Sequence, residues 1–217
     1  MKLYYGADSL VTKPQYGVGN PTNDYGLGFY LTPSYEMAKL WASKNKQGGY
    51  LITYNVDIKN LNVLYLNNNT EEDVLKWITL LVNHRFSRDY IDSYKETINW
   101  LRDHFYPDLS KYDMIVGYRA DDSYFAYSLS FLAGNMSVEL LSGAMKLGKL
   151  GLQYVLISEK AFNNIQFESY EEVPYSSEYG KFREEVLYEY RNYIKNDNIN
   201  NTFIRDIMRK YNKWLIE

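Results

Sequence analysis

Gly26-Leu27-Gly28-Phe29-Tyr30-Leu31-Thr32 is the stretch whose reading decides the fold. Phe29–Leu31 reads as a short strand of β-favouring residues. Gly26 and Gly28 allow a tight approach to that strand, because no Cβ blocks it. Thr32-Pro33 then reads as a helix start, with Thr capping the free N–H groups and Pro at the first helical position. The spacing of Met37, Leu40 and Trp41 predicts a helix to about Lys46, stopped by Gly48-Gly49. Two other segments match this strand in character. Lys2-Leu3-Tyr4-Tyr5 ends at Gly6, and Leu152-Gln153-Tyr154-Val155-Leu156-Ile157 carries one polar side chain near its start. Residues 7–26 between the first two are a turn-rich loop holding Pro14, Gly17, Gly19 and Pro21.

Further along, Tyr50–Val56 and Leu61–Leu66 read as strands, the first alternating in the half-buried pattern. Thr70 caps a helix whose first turn, Glu71-Glu72-Asp73, suits the helix dipole. Helices are predicted at 91–105, 123–133 and 137–147, with strands at 113–117 and 165–173. From Ser176 two apolar stripes predict helices at 178–196 and 200–216: Phe182, Val186, Tyr190 and Ile194, then Ile204, Ile207, Met208, Tyr211 and Trp214. Strands mixed with helices in this order predict an α+β fold. The last two helices are expected to form a C-terminal helical hairpin. The predicted organisation is a domain over 1–175 and a helical extension over 176–217, packed on it or serving as a partner-binding arm.

With 217 residues, a single sizeable core is expected. The formal charge is −3, from 24 Lys and Arg against 27 Asp and Glu, which argues against broad electrostatic binding of nucleic acid. The chain has no cysteine, so disulfides, thiolate nucleophiles and cysteine zinc sites are excluded. Its two histidines, His84 and His104, make a histidine-rich metal centre a poor expectation. The N-terminus has no signal-peptide pattern and no run approaches bilayer-spanning length, so a soluble, cytoplasmic protein without membrane contact is expected.

Four segments, in order over residues 3–168, resemble the ADP-ribosyltransferase superfamily in its His-Tyr-Glu branch, and within it a bacterial toxin-like family. They are Leu3-Tyr4-Tyr5-Gly6, Asp24–Thr32 with the following Ala38 and Trp41-Ala42, Tyr112–Gly117 through Ala120-Asp121-Asp122, and Gln153-Tyr154. The resemblance implies a split core of two small, mostly antiparallel sheets with surrounding helices, NAD as substrate, transfer of ADP-ribose to a macromolecular acceptor such as a protein, and a small antitoxin-like partner. By position it implies that Gly6 offers its backbone to the nicotinamide carboxamide and that Tyr30 stacks on the ring, with Tyr5 and Thr32 also in the cofactor-binding set. Tyr5 stands where the branch has His, and Gln153 stands at the position of the catalytic Glu. An amide binds a ribose hydroxyl but brings no charge to the sugar cation formed as the nicotinamide leaves.

Asp121 and Asp122 are then the candidates to supply that charge, set against the plainer reading that one of them caps the helix starting near Ser123. Arg119 is read as either a phosphate contact or a surface ion pair, His84 as a helix-end cation, and His104 as packing. The glycines at 17, 19, 26 and 28 lack the Lys-Ser/Thr ending of a phosphate loop. Besides a transferase, the sequence leaves open a catalytically weak binder of NAD or ADP-ribose acting through protein contacts, and an NAD glycohydrolase.

Overall fold

A computed structural model of the chain describes residues 1–120, 122–147, 151–193, 195 and 201–214, without the side chains of 122–125, 190, 213 and 214. The fold is α+β, built on two small sheets. The first has the order β1-β3-β7, from β1 (Lys2–Ala7), β3 (Gly49–Val56) and β7 (Ile165–Val173), and is antiparallel throughout. The second has the order β2-β6-β5-β4, from β2 (Phe29–Leu31), β6 (Leu152–Leu156), β5 (Met114–Tyr118) and β4 (Val63–Tyr65). Only β4 and β5 pair in parallel there.

The sheets meet at one residue pair. Tyr4 N–H donates to the Thr32 carbonyl at 2.8 Å and Thr32 N–H to the Tyr4 carbonyl at 2.9 Å. Leu3, Ile52 and Tyr54 of the first sheet and Leu31, Met114, Val116 and Leu156 of the second share a core between them. A larger core lies on the other face of the second sheet. There Ile115 and Val155 meet α2 (Glu71–Arg85), α4 (Lys95–Phe105), α5 (Asp122–Leu132) and α6 (Val138–Ala144) around the fully buried Trp77.

Helix α1 (Tyr35–Ala42) covers the outer face of β1 and β3, with Ala38 and Ala42 one turn apart and fully buried. The contact is backbone on backbone. A Cβ at Gly6 would lie 2.0 Å from the Ala38 carbonyl oxygen, and one at Gly49 would lie 2.4 Å from that of Ala42. Small residues on both sides are what this approach requires.

Local signals located most elements and misplaced some ends. Thr70 accepts the Asp73 N–H at 3.1 Å, as its capping role predicts. The first helix starts later than expected. Ser34 is its cap, accepting from Met37 N–H, while Thr32, two residues earlier, accepts the Ser34 N–H at 3.2 Å. It also ends at Ala42 rather than Lys46. β3 is buried on both faces, not half-buried, because α1 covers one side and the second sheet the other. The predicted helix over 91–105 is two, α3 (Arg88–Ser93) and α4, parted at Tyr94, whose φ of −123° is not helical. The five-residue α7 (Glu159–Asn163) was too short for a periodic signal.

After β7 come α8 (Glu178–Tyr193) and α9 (Ile204–Trp214). Val186, Ile204 and Ile207 are buried in the larger core. Thr202 fastens the start of α9 to α6: its carbonyl accepts the Val138 N–H, and its own N–H donates to Glu139 Oε2, both at 2.9 Å. Of the predicted stripes, Ile194 and the side chains of Tyr190 and Trp214 lie outside the described residues. Among the described residues, no helix is long and apolar enough to cross a membrane.

Candidate functional site

Beyond the Tyr4–Thr32 junction β1 and β2 part, and a cleft of about 860 Å³ opens between them. Extending the antiparallel register by two residues sets Gly6 across from Tyr30, and both line the cleft, with Tyr5 and Gln153. Its size falls within the range of small-molecule sites, about 300–1,000 Å³.

Gly6 has two separate roles. Its missing Cβ admits α1, as described. Backbone groups alternate sides along a strand, so the Gly6 N–H and C=O point the way Tyr4's do, away from β3 and along the edge where the cleft begins. Tyr5 points to the opposite face of β1 and packs on Phe29, ring centroids 4.8 Å apart. Burial, and to a lesser degree the nearby Asp8, raise the Tyr5 phenol above its ordinary pKa, so it stays a hydrogen-bond donor at neutral pH.

Tyr30 is held at both ends. Its strand pairs with β6, and its hydroxyl donates to the Gly26 carbonyl at 2.6 Å while accepting the Tyr25 N–H at 3.0 Å. Burial pushes its pKa far above the usual phenol range. The ring therefore has little freedom to swing away from the cleft. Thr32 does not join it there. It is fully buried, its hydroxyl serves Ser34, and its backbone forms the sheet junction.

Gln153 lies on β6 opposite Gly117 of β5, on the same face as Val155 and diagonal to Tyr30. The residue is only 6% exposed, and its Oε1 is buried with no hydrogen-bond partner among the described residues. An unmet acceptor of this kind costs about 1–3 kcal/mol, so a donor that met Oε1 after a turn of the side chain toward the cleft would recover that energy.

A buried ion pair braces the wall beside it. Asp24 accepts from Arg85 Nη1 at 2.9 Å with one oxygen and from the Ala120 N–H at 3.0 Å with the other, and Arg85 Nη1 also reaches the Ala120 carbonyl at 3.2 Å. Desolvation raises the Asp24 pKa, against the lowering pull of Arg85 and the Ala120 N–H. Next along, Tyr25 donates to the Tyr118 carbonyl at 2.6 Å, with its ring lying over Gly117, where a Cβ would stand 2.2 Å from the hydroxyl. The turn leading from β5 toward Asp121 and Asp122 is thus fixed from both sides. Asp121 and the Asp122 side chain lie outside the described residues, so their position relative to the cleft does not enter.

Other expectations change. Arg119 also has an aromatic neighbour. Its guanidinium lies over the Trp41 ring at 3.8 Å, and both line the cleft. Gly28 does approach a strand, with a Cβ position 2.7 Å from Val155 Cγ1. Gly26 instead faces His84, whose ring would lie 2.5 Å from its Cβ. His84 is half-buried and burial lowers its pKa, so a neutral packed ring replaces the expected helix-end cation. His104 stacks on Trp100 at 4.6 Å, a packing role.

Sequence reasoning missed the Asp24–Arg85 pair, Trp41 and Lys44 as lining residues, and the part played by Tyr179, Phe182 and Arg183 of α8. Asp24 and Trp41 carried a signal as members of the segment Asp24–Thr32 and its following helix, and Phe182 as part of an apolar stripe, but none of these signals pointed to the cleft. Among the described residues, no group of His, Asp and Glu is arranged to hold a metal ion.

A family model described as a protein of unknown function, DUF3990, matches residues 1–167. No curated protein and no solved structure matches the chain.

Proposed function

The chain belongs to the DUF3990 family, and from that premise we propose that its cleft binds NAD and transfers ADP-ribose to a macromolecule. One observation carries this reading. Gly6 with its outward backbone, Tyr30 with its fastened ring and Gln153 with its unmet acceptor line one cleft at the point where two sheets part. Each meets a separate demand of the chemistry. The Gly6 N–H and C=O match the acceptor and donor of a carboxamide. The Tyr30 ring offers a face to a pyridinium. Gln153 Oε1 accepts from a ribose hydroxyl.

In the transfer, the bond between nicotinamide nitrogen and ribose C1′ breaks, and its electron pair leaves with the neutral nicotinamide. The acceptor's nucleophilic atom forms the new bond to C1′ and gives up its proton. Positive charge builds on the sugar ring between these events. Gln153 orients the sugar without neutralising that charge, so slow turnover follows from a neutral residue there. Asp121 and Asp122 remain the candidates for the missing charge. In this proposal the acceptor is a protein, and the setting a cytoplasmic toxin or effector restrained by a small partner.

The Gln153 amide also favours a second reading, a protein that binds NAD or ADP-ribose without turning it over. Incubation of the purified protein with labelled NAD and a bacterial lysate separates these. Nicotinamide release together with label on a macromolecule, both lost in Tyr30→Ala, is the result expected of a transferase. Release with free ADP-ribose and no labelled macromolecule would mean a glycohydrolase. Binding without release would leave the non-catalytic reading.

A further inference from the structure

The first sheet ends at β7, which pairs with β3 along one side; among the described residues no strand pairs with its other side. Residues 166–172 of this strand are all exposed. Backbone groups alternate sides along a strand. Tyr4 turns its N–H and C=O away from β3, so Ile52 and Tyr54 bond to β1, and Leu51 and Thr53 bond to β7. Glu171 and Ser169 stand opposite those two and face inward. The N–H and C=O of Tyr170 and Glu172 then point out from the edge of the sheet.

The two faces of this edge differ. On the face away from α1, Phe167 lies against Tyr54 and Tyr170 against Tyr50, ring centroids 6.4 and 5.9 Å apart, yet the two are 38% and 46% exposed. On the α1 side, Glu168 accepts from Lys2 Nζ at 2.6 Å and Glu171 from the Tyr35 hydroxyl at 2.7 Å. The strand carries three Glu and no Lys or Arg. Only Glu168 meets a cation; Glu171 and Glu172 have no ion pair among the described residues.

Charges and a bulge, here at the register shift opposite Thr53 and Tyr54, keep a free edge from pairing with its like. Two copies joined through β7 would set three glutamates of each side by side. An edge built only for protection has no use for two exposed aromatic rings. The charges that repel a second copy attract a basic strand.

We propose that β7 is a docking edge for another protein, which adds a basic strand to the first sheet. In the incoming strand apolar and cationic residues alternate. The apolar ones cover Phe167 and Tyr170, and the Lys or Arg between them meet Glu171 on the opposite face. Tyr170 and Glu172 supply the backbone hydrogen bonds. No residue of β7 lines the cleft, so this surface is independent of the NAD reading.

The full chain and a short labelled peptide of alternating Lys and Val test this, with the same residues arranged in two blocks as control. Fluorescence anisotropy should show saturable binding of the alternating peptide and much weaker binding of the block peptide. Affinity should fall about tenfold or more in Glu171→Lys/Glu172→Lys, where attraction becomes repulsion. Bound peptide should slow amide exchange at Tyr170 and Glu172, while Ser169 and Glu171, already turned to β3, stay as they were. Glu172→Pro should weaken binding more than Glu172→Gln, because Pro removes an outward N–H that β3 does not use. Should Glu172→Pro fold poorly, amide exchange in the native chain decides. No binding of the alternating peptide, equal binding of the two peptides, or unchanged exchange at Tyr170 and Glu172 overturns the proposal. A dimer of the native chain that Glu172→Pro abolishes would give the edge to a second copy, and overturns it as well.

Discussion

The Tyr30 hydroxyl is fastened to Gly26, donating to its carbonyl at 2.6 Å across the turn that precedes its own strand. The same oxygen accepts the Tyr25 N–H at 3.0 Å. Tyr30→Phe removes both bonds and strands two backbone groups, which should cost about 1–3 kcal/mol in a urea titration. It keeps the ring, so NAD affinity should fall much less than in Tyr30→Ala. Equal loss of affinity in the two variants would mean that the hydroxyl, and not the ring face, contacts the ligand.

The turn itself depends on glycine. Gly26 has φ +78°, and a Cβ there would lie 2.5 Å from the His84 ring. Gly26→Ala should therefore destabilise by about 2 kcal/mol or more, from backbone strain and crowding together. Truncating the ring in Gly26→Ala/His84→Ala should return part of the loss relative to the sum of the single variants, read as a positive coupling in a double-mutant cycle.

His84 should make stability depend on pH. Burial lowers its folded pKa below the ordinary histidine value. Below about pH 6.5 the unfolded chain takes up a proton that the folded chain resists. The His84 contribution is thus whole above about pH 6.5 and is lost as pH falls through the lower folded pKa. His84→Gln should lose this share of the pH dependence, its stability falling less than that of the native protein as pH drops through the interval. Urea midpoints of both proteins across the range check this; parallel curves would contradict it.

Gln153→Glu brings a carboxylate to the strand position where the proposed chemistry calls for negative charge. Nicotinamide release from NAD should rise by about tenfold or more over the native chain, since charge placed at a developing cation acts on the barrier directly. Burial of the new carboxyl raises its pKa, so the gain should grow with pH. Release no faster than in the native protein at any pH would show that position 153 does not face the reacting sugar.

Much of the fold was legible because it rests on local chemistry. The Thr70 cap, the apolar run at Met114–Val116 and the glycine–aromatic strand each declare themselves within a few residues. The candidate site was legible to the extent that Tyr5, Gly6, Tyr30 and Gln153 all line one cleft. What escaped was set by distance along the chain. Asp24 and Arg85 are 61 positions apart, and each alone looks like a surface charge. Gly6 reads as a strand end until the Ala38 carbonyl is found against it. Thr32 has every mark of a cap, yet Ser34 takes that role and Thr32 joins the sheets. The approach of α8 to the cleft has no local signature at all, since its apolar stripe says only that one face is covered.

The central claim is that NAD occupies the cleft at the parting of the sheets. Titration of NAD by calorimetry into the native chain and into Tyr30→Ala tests it most directly, with circular dichroism to confirm that both are folded. The account predicts a saturable heat for the native chain and an affinity lower by about tenfold or more in the variant. No heat with the native chain, or equal affinity in a folded Tyr30→Ala, would contradict it.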